Sequence, residues 1–297
     1  MTLRRVHLSA IAALGLLGAA SVQAQSFTAK DIAGRWESPA PVFDETNKLF
    51  GGYVLELYAN QWTLTFTASA DAAGQQKLFS YRVAASTYTL GKAVSGVANA
   101  VEGDFERDSF FMTAHAQPMA DMFKQANCGN GDWKLGVAQE VTAKGCAFIP
   151  SKAACPNELD IVVFDGKTLS FGDRSGNMCA LPRPAKAAKA SFVKKPVFAM
   201  IQAQIKDPGM FFGQYVPGHV PSVVQYGGKF GLTLKAEQAL ADAKLQGTMP
   251  GQMFIVQECP SLLAFNAWWT SPEYAPWSAM RSKAADVQLT LTTAVGK

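Results

Sequence analysis

Tyr53-Val54-Leu55-Glu56-Leu57-Tyr58-Ala59-Asn60-Gln61-Trp62-Thr63-Leu64-Thr65-Phe66-Thr67 decides the fold of the first half of the chain. Trp62, Leu64 and Phe66 alternate with threonines, and Tyr53, Leu55 and Leu57 alternate with other residues in the same way just before them. A period of two puts the large apolar groups on one face of a strand and the polar ones on the other. Two antiparallel strands are therefore predicted, with a turn at Asn60-Gln61. Their six large apolar side chains point toward a common interior.

Working outward, the same pattern predicts strands at 78–84, 109–114, 161–164 and 168–171. Asp165-Gly166 joins the last two as a tight hairpin, because glycine accepts the positive φ such a turn needs. One helix is predicted at 118–126, just before Cys128. Many antiparallel strands with turn signals between them describe a sandwich or a barrel. An eight-stranded barrel has an interior that is either packed or able to hold one small ligand, and both readings stay open here.

The composition changes at 182–196, where small and basic residues lie between prolines, as in a linker. The chain is accordingly divided into an all-β domain at 26–184, a linker at 185–195 and a second domain at 196–297. The second domain has a different rhythm. A strand at 198–206 leads to Asp207-Pro208, an N-cap followed by proline at the first helical position. That helix runs to about residue 225 and stops at Gly227-Gly228. Strands follow at 229–234 and 252–258. A helix then starts at Pro260-Ser261 and runs through Trp268 and Trp269, another turn begins near Pro272, and a strand at 287–293 closes the domain. The order β-α-β-β-α-β is the ferredoxin-like arrangement. Such a sheet leaves one face bare, which predicts a homodimer through this domain.

The first 24 residues read as a removable leader. Arg4-Arg5 precedes an apolar run from Leu8 to Ala20, and Val22 and Ala24 offer a small-residue cleavage site. The run is too short to span a bilayer, and no apolar run of spanning length follows it. The predicted location is periplasmic or secreted. The 27 basic residues lose Arg4 and Arg5 with the leader, leaving 25 against 23 acids. No basic cluster marks a nucleic-acid footprint. The hydrophobic fraction of 48% is that of a globular chain rather than a disordered one.

Cys128, Cys146, Cys155 and Cys179 lie close together in an exported chain, so two disulfides are predicted, with three possible connectivities. The spacing suits structural zinc poorly, and no metal or cofactor is expected. Cys259, the fifth cysteine, reads as a buried, inert thiol.

Ile32-Ala33-Gly34-Arg35-Trp36 stands where a lipocalin opens, and Gly34 and Trp36 are read as structural. With the Trp62 to Thr67 strand, Tyr88-Thr89-Leu90-Gly91, Asn127-Cys128-Gly129, Gly145-Cys146, Cys155-Pro156 and Leu169 with Gly172-Asp173, residues 30–184 resemble the adenomatosis-polyposis-coli-down-regulated family. That resemblance implies a lipocalin-like barrel with disulfides, a tryptophan plug at its closed end and a pocket for an apolar or lipid-like ligand. This chain lacks the tandem second barrel of the animal members. The second domain resembles domain-of-unknown-function family thirteen-thirty, of the dimeric α/β-barrel group. The matching residues are Tyr226-Gly227-Gly228-Lys229-Phe230, Glu258, Pro260-Ser261, Ala267-Trp268, Ser271-Pro272-Glu273-Tyr274 and Arg281. The family usually has an aromatic in place of Cys259 and Glu-Gly in place of Gln246-Gly247. The resemblance implies either a cofactor-independent oxygenase or a plain binding or dimerisation module.

Tyr215, His219, Glu258 and Trp268 are the candidate residues of a pocket in the second domain, with His219 and Glu258 as a proton-moving pair. A structural histidine and core tryptophans are the simpler reading. The chain carries no nucleophile elbow, phosphate loop or telling carboxylate pair. Binding is therefore favoured over catalysis. The leading expectation is a small apolar or lipid-like ligand held among Tyr53, Leu55, Leu57, Trp62, Leu64 and Phe66. The alternatives are an oxygenase or isomerase pocket in the second domain, or a domain that only dimerises.

Overall fold

The computed structural model describes residues 27–45, 47–174, 179, 182–235 and 253–293. The leader at 1–24 and Gln246-Gly247 lie outside the described residues. In the first half, strands β1 (Gly34–Glu37), β2 (Val42–Asp44), β3 (Leu49–Tyr58), β4 (Gln61–Ser69), β5 (Lys77–Ala93), β6 (Ala100–Glu106) and β7 (Phe110–Ala114) lead to helix α1 (Gln117–Gln125). Strands β8 (Ala138–Glu140), β9 (Asn157–Phe164), β10 (Thr168–Gly172) and β11 (Ala187–Lys194) complete it.

These strands form one sheet, and β4 closes it by pairing with both β3 and β5. The ring runs β1-β3-β4-β5-β6-β9-β10-β11 and returns to β1, every pair antiparallel. The result is a closed antiparallel barrel in which most neighbours are consecutive in sequence. Val83 pairs with Phe110 and Tyr88 with Phe105, so β6 and β7 run as one bent strand along β5.

The registers Leu57↔Trp62, Leu55↔Leu64 and Tyr53↔Phe66 put the alternating apolar residues on the inner wall. The turn falls at Ala59-Asn60, one residue earlier than predicted, with Ala59 at φ 52°. Inside, a chain of ring contacts circles the wall from Trp62 to Phe105 (5.0 Å), Phe171 (5.8 Å), Phe192 (5.7 Å), Tyr53 (6.0 Å), Phe66 (4.9 Å) and Phe79 (5.9 Å). Fully burying one such side chain is worth roughly 1.5–3 kcal/mol. One end is plugged by Trp36, whose indole N–H donates to the Ile32 carbonyl at 2.8 Å. The other is covered by α1, which sets Phe123 against Phe79 at 5.9 Å. Disulfides join Cys128 to Cys146 and Cys155 to Cys179, one of the three connectivities left open above.

The predicted linker is corrected. Ala187–Lys194 is strand β11, paired with β10 and β1, and it closes the barrel. Its alanines and lysines carry no strand signal of their own; tertiary pairing overrides weak propensity here.

The remaining chain builds a separate four-stranded sheet. Strand β12 (Val197–Ile205) leads to α2 (Pro208–Met210), a π-helical turn at Phe211–Tyr215 and α3 (Val216–Gln225). Next come β13 (Lys229–Lys235), β14 (Met253–Cys259), α4 (Leu262–Trp269), α5 (Ala275–Ala284) and β15 (Ala285–Thr293). The sheet order is β13-β14-β12-β15, antiparallel throughout. Asp207 caps Met210 N–H at 2.9 Å and Ser261 caps Ala264 N–H at 3.1 Å, as their positions before the helices predict. Gly227, at φ +79°, ends α3 because only a left-handed residue lets its N–H and that of Gly228 reach back to Val224 and Val223. Among the described residues, no helix is long and apolar enough to cross a membrane.

The barrel and the second sheet touch at the corner between β14 and α4. Arg35 N–H donates to the Pro260 carbonyl at 2.9 Å, and Tyr58 stacks on Tyr226 at 6.3 Å. Glu56, buried on the outer side of β3, accepts the N–H groups of Leu262 and Leu263.

Candidate functional site

The barrel is fully paired only over part of its height. Strand β1 joins β11 at Trp36↔Lys194 and Glu37↔Val193, and there the pairing stops. The next residues are Ser38-Pro39-Ala40-Pro41, and β2 then continues along β3 without pairing to β11. Pro39 and Pro41 have no N–H to offer a neighbouring strand. Among the described residues this leaves a gap in the pairing, a slit between β2 and the upper part of β11. Tyr53 lies beside it, held by Ser38 N–H to the Tyr53 carbonyl and by Tyr53 N–H to Ser38 Oγ, both at 3.0 Å.

Tyr53 faces inward, against Phe66 and Phe192, yet it is 36% exposed. In a closed barrel an inward side chain meets solvent only through the interior. Leu64, Phe66 and Phe171, also on the inner wall, are half-buried. Leu55, Leu57 and Trp62 are buried in the plugged half and are packing residues. The six predicted ligand-binding residues thus share one wall, but the structure splits them between a packed floor and an open upper chamber.

Two arginines deep in the upper half escaped the sequence reading. Arg107, fully buried, donates to Tyr81 Oη at 3.2 and 3.0 Å and to the Cys155 carbonyl at 2.9 Å, with Glu158 at 3.4 Å. Arg174 bridges Glu158 at 2.7 Å and Asp160 through Nε at 2.8 Å. Burial pushes the Asp160 carboxyl above its usual range, against the pull of Arg174 and of the N–H groups of Gly172 and Ile161. Burial also pushes the Tyr81 hydroxyl up to about 12. Two cations and two anions share this cluster, so it offers little net charge to a ligand.

In the second sheet, α3, α4 and α5 enclose a cavity of about 30 Å³ against β12, β14 and β15. Tyr215, His219 and Trp268 line it together, joined by Tyr274 and Arg281. Arg281 Nη1 donates to Tyr274 Oη at 2.6 Å, and that hydroxyl meets Tyr215 Oη at 3.3 Å. The His219 ring stacks on Tyr215 at 4.2 Å, and its Nδ1 donates to the Tyr215 carbonyl at 2.9 Å. That bond leaves Nε2 as the lone-pair nitrogen of a neutral ring. Burial lowers the His219 pKa and raises those of Tyr215 and Tyr274, so imidazole and phenols stay neutral at pH 7.

The predicted His219–Glu258 pair is corrected. Strand alternation turns Gln257 into the cavity and Glu258 to the opposite face, where Lys229 meets it at 3.5 Å. The β14 side chain that shares the cavity with the histidine is an amide, which cannot exchange a proton at neutral pH. Cys259 is buried, and burial raises its thiol to about 11, so it stays protonated.

Residues 196–295 match the family described as Domain of unknown function (DUF1330). No curated protein matches the chain. Among solved structures, a protein of unknown function from Rhodopseudomonas palustris, a structural genomics target, is similar at 18% identity. The match covers 35% of this chain and 85% of that one, with a TM-score of 0.29.

Proposed function

We propose that this is a two-domain binding protein of the periplasm or cell exterior. Its lipocalin-like barrel takes a small apolar or lipid-like ligand through the slit between β2 and β11. One observation carries the reading: Tyr53 points inward and is nevertheless 36% exposed. The resemblance of residues 30–184 to the adenomatosis-polyposis-coli-down-regulated family supports it, as do two disulfides suited to an oxidising compartment. The aromatic lining favours an apolar body, and the self-neutralising arginine–carboxylate cluster argues against a strongly charged one.

The test is mass spectrometry of gently purified protein, together with titration by the neutral fluorophore N-phenyl-1-naphthylamine. A bound lipid or saturable fluorescence is expected, with Tyr53→Lys weakening the probe about tenfold or more by placing a charge in the apolar entry. No bound molecule and no saturation would defeat the reading.

The ferredoxin-like domain has a second use under this proposal. The outer face of its sheet carries Phe198, Met200, Phe254 and Val256, all half-buried in the single chain. A second copy covers that face, as in a dimeric α/β barrel; light scattering showing a monomer at micromolar concentration rejects it. One further reading is that the cavity holding Tyr215 and His219, which at about 30 Å³ has room only for water, widens to take a small carbonyl ligand polarised by the Arg281–Tyr274–Tyr215 relay, with oxygenase or isomerase chemistry at His219. Turnover unaffected by His219→Asn would remove it.

A further inference from the structure

The largest exposed apolar side chains of the first half are not scattered. Val42, Phe43, Leu135, Val137 and Phe148 are each 42–55% exposed. The strand registers show where they lie. Val42 pairs with Gly51, Gly51 with Ala68, Ala68 with Phe79, and Phe79 with Ala114, one row around the end of the barrel opposite the Trp36 plug. Phe43 is the next residue on β2. Phe148 sits 5.4 Å from the Phe79 ring. Gly136 N–H donates to the Ala114 carbonyl at 2.8 Å, which sets Leu135 and Val137 at the same row. All five therefore rim the end at which the slit opens.

From this placement we infer that the rim docks on the surface of a lipid bilayer, so that an apolar ligand enters the chamber without crossing water. The inference rests on the carrier reading above. Three structural features select a bilayer over a protein partner. The five side chains stand on separate loops and a short edge strand, as protrusions beside the slit at the end that α1 covers, rather than as a flat patch. Val42 pairs with Gly51, two residues along β3 from Tyr53, so the rim adjoins the aromatic chamber. The charges at this end nearly balance: Lys48 pairs with Glu45 at 3.0 Å and Lys134 with Asp132 at 3.7 Å, Asp44 accepts from Asn47, and α1 brings Asp121 and Lys124, while the Lys48 ammonium lies 5.9 Å from the Phe43 ring. Such a rim has little field of its own to complement a charged protein. It inserts by apolar contact, with Lys48 positioned to reach the headgroups.

The experiment is flotation of the purified chain with phosphatidylcholine vesicles. Most of the protein is expected to float, undiminished in about 1 M salt, where the screening length is about 3 Å. Phe43→Ser combined with Val137→Ser is expected to lower the partition coefficient about tenfold or more. Should that pair fail to fold by circular dichroism, Leu135→Ser alone carries the test, with a smaller loss in the same direction. Wild-type protein that stays in solution, or binding stripped by salt, overturns the inference. So does a rim variant that floats like wild type, or one whose only effect is on self-association. N-phenyl-1-naphthylamine in vesicle-free buffer separates the two claims. Probe uptake without flotation defeats docking and leaves the carrier standing; flotation without probe uptake does the reverse.

Discussion

The carboxylate of Glu56, on barrel strand β3, accepts the backbone N–H of Leu263 at 3.1 Å in the first turn of α4, and that of Leu262 at 3.2 Å. The first amides of a helix have no partner within it, and the positive end of the helix dipole lies there. Ser261, the residue before α4, satisfies only Ala264. A residue some two hundred positions away supplies the rest, and Arg35 holds it from the barrel side at 3.3 Å. The helix that carries Trp268 into the second cavity is thereby seated on the barrel.

Glu56→Ala leaves two helix amides and the Arg35 guanidinium short of a partner in a buried joint. It is expected to cost about 1–3 kcal/mol, measured as a lower denaturation midpoint in guanidinium chloride. Glu56→Gln retains one acceptor and is expected to cost less. Equal stability of the Ala variant and wild type would mean that the joint contributes nothing.

The neutral state of His219 sets a pH dependence. Its folded pKa is depressed, by burial first, so its contribution is fully present above the unfolded value of about 6.5. It is lost as pH falls through the lower, folded value. Urea unfolding at pH 7.5 and at pH 5 is expected to show a decline that shrinks in His219→Asn. His115, whose pKa is also lowered by burial, contributes to what remains. An unchanged decline in the variant would place the titration elsewhere.

Gly218 in α3 faces the Trp277 indole of α5 so closely that a β-carbon at Gly218 would overlap the ring. Gly218→Ala is expected to destabilise by about 1–3 kcal/mol through overpacking, even though alanine is the better helix former. A gain in melting temperature would show that the two helices separate freely.

Cys128 and Cys146 are 18 residues apart in sequence. Chain entropy then assigns their bond about 3 kcal/mol. Cys128→Ser with Cys146→Ser is expected to lose that much and to release the Phe148 loop, read as faster proteolysis near residue 148. An unchanged cleavage rate would detach the loop's order from the disulfide.

The barrel wall was legible wherever strand alternation was strong, as in the Trp62 to Thr67 strand, and the helix starts at Asp207 and Ser261 followed from capping chemistry. Strand β11 was not legible, because only Phe192 among its inward positions is large and apolar and the rest resembles a linker. The orientation of Glu258 was within reach. With Cys259 buried, the alternation of β14 turns Gln257 inward and Glu258 out. The Arg107–Glu158–Arg174–Asp160 cluster was out of reach: barrel closure alone brings β9 beside the bend between β6 and β7, and no local pattern encodes that meeting.

Pro39 and Pro41 bear on more than the barrel's shape. Unpaired strand margins tend to recruit foreign strands and seed aggregates. Two ring-locked residues either side of Ala40 withhold hydrogen-bond donors where β1 leaves β11 and the uncovered margin begins. The gap in the wall can thus persist without becoming a seam along which neighbouring molecules stitch together.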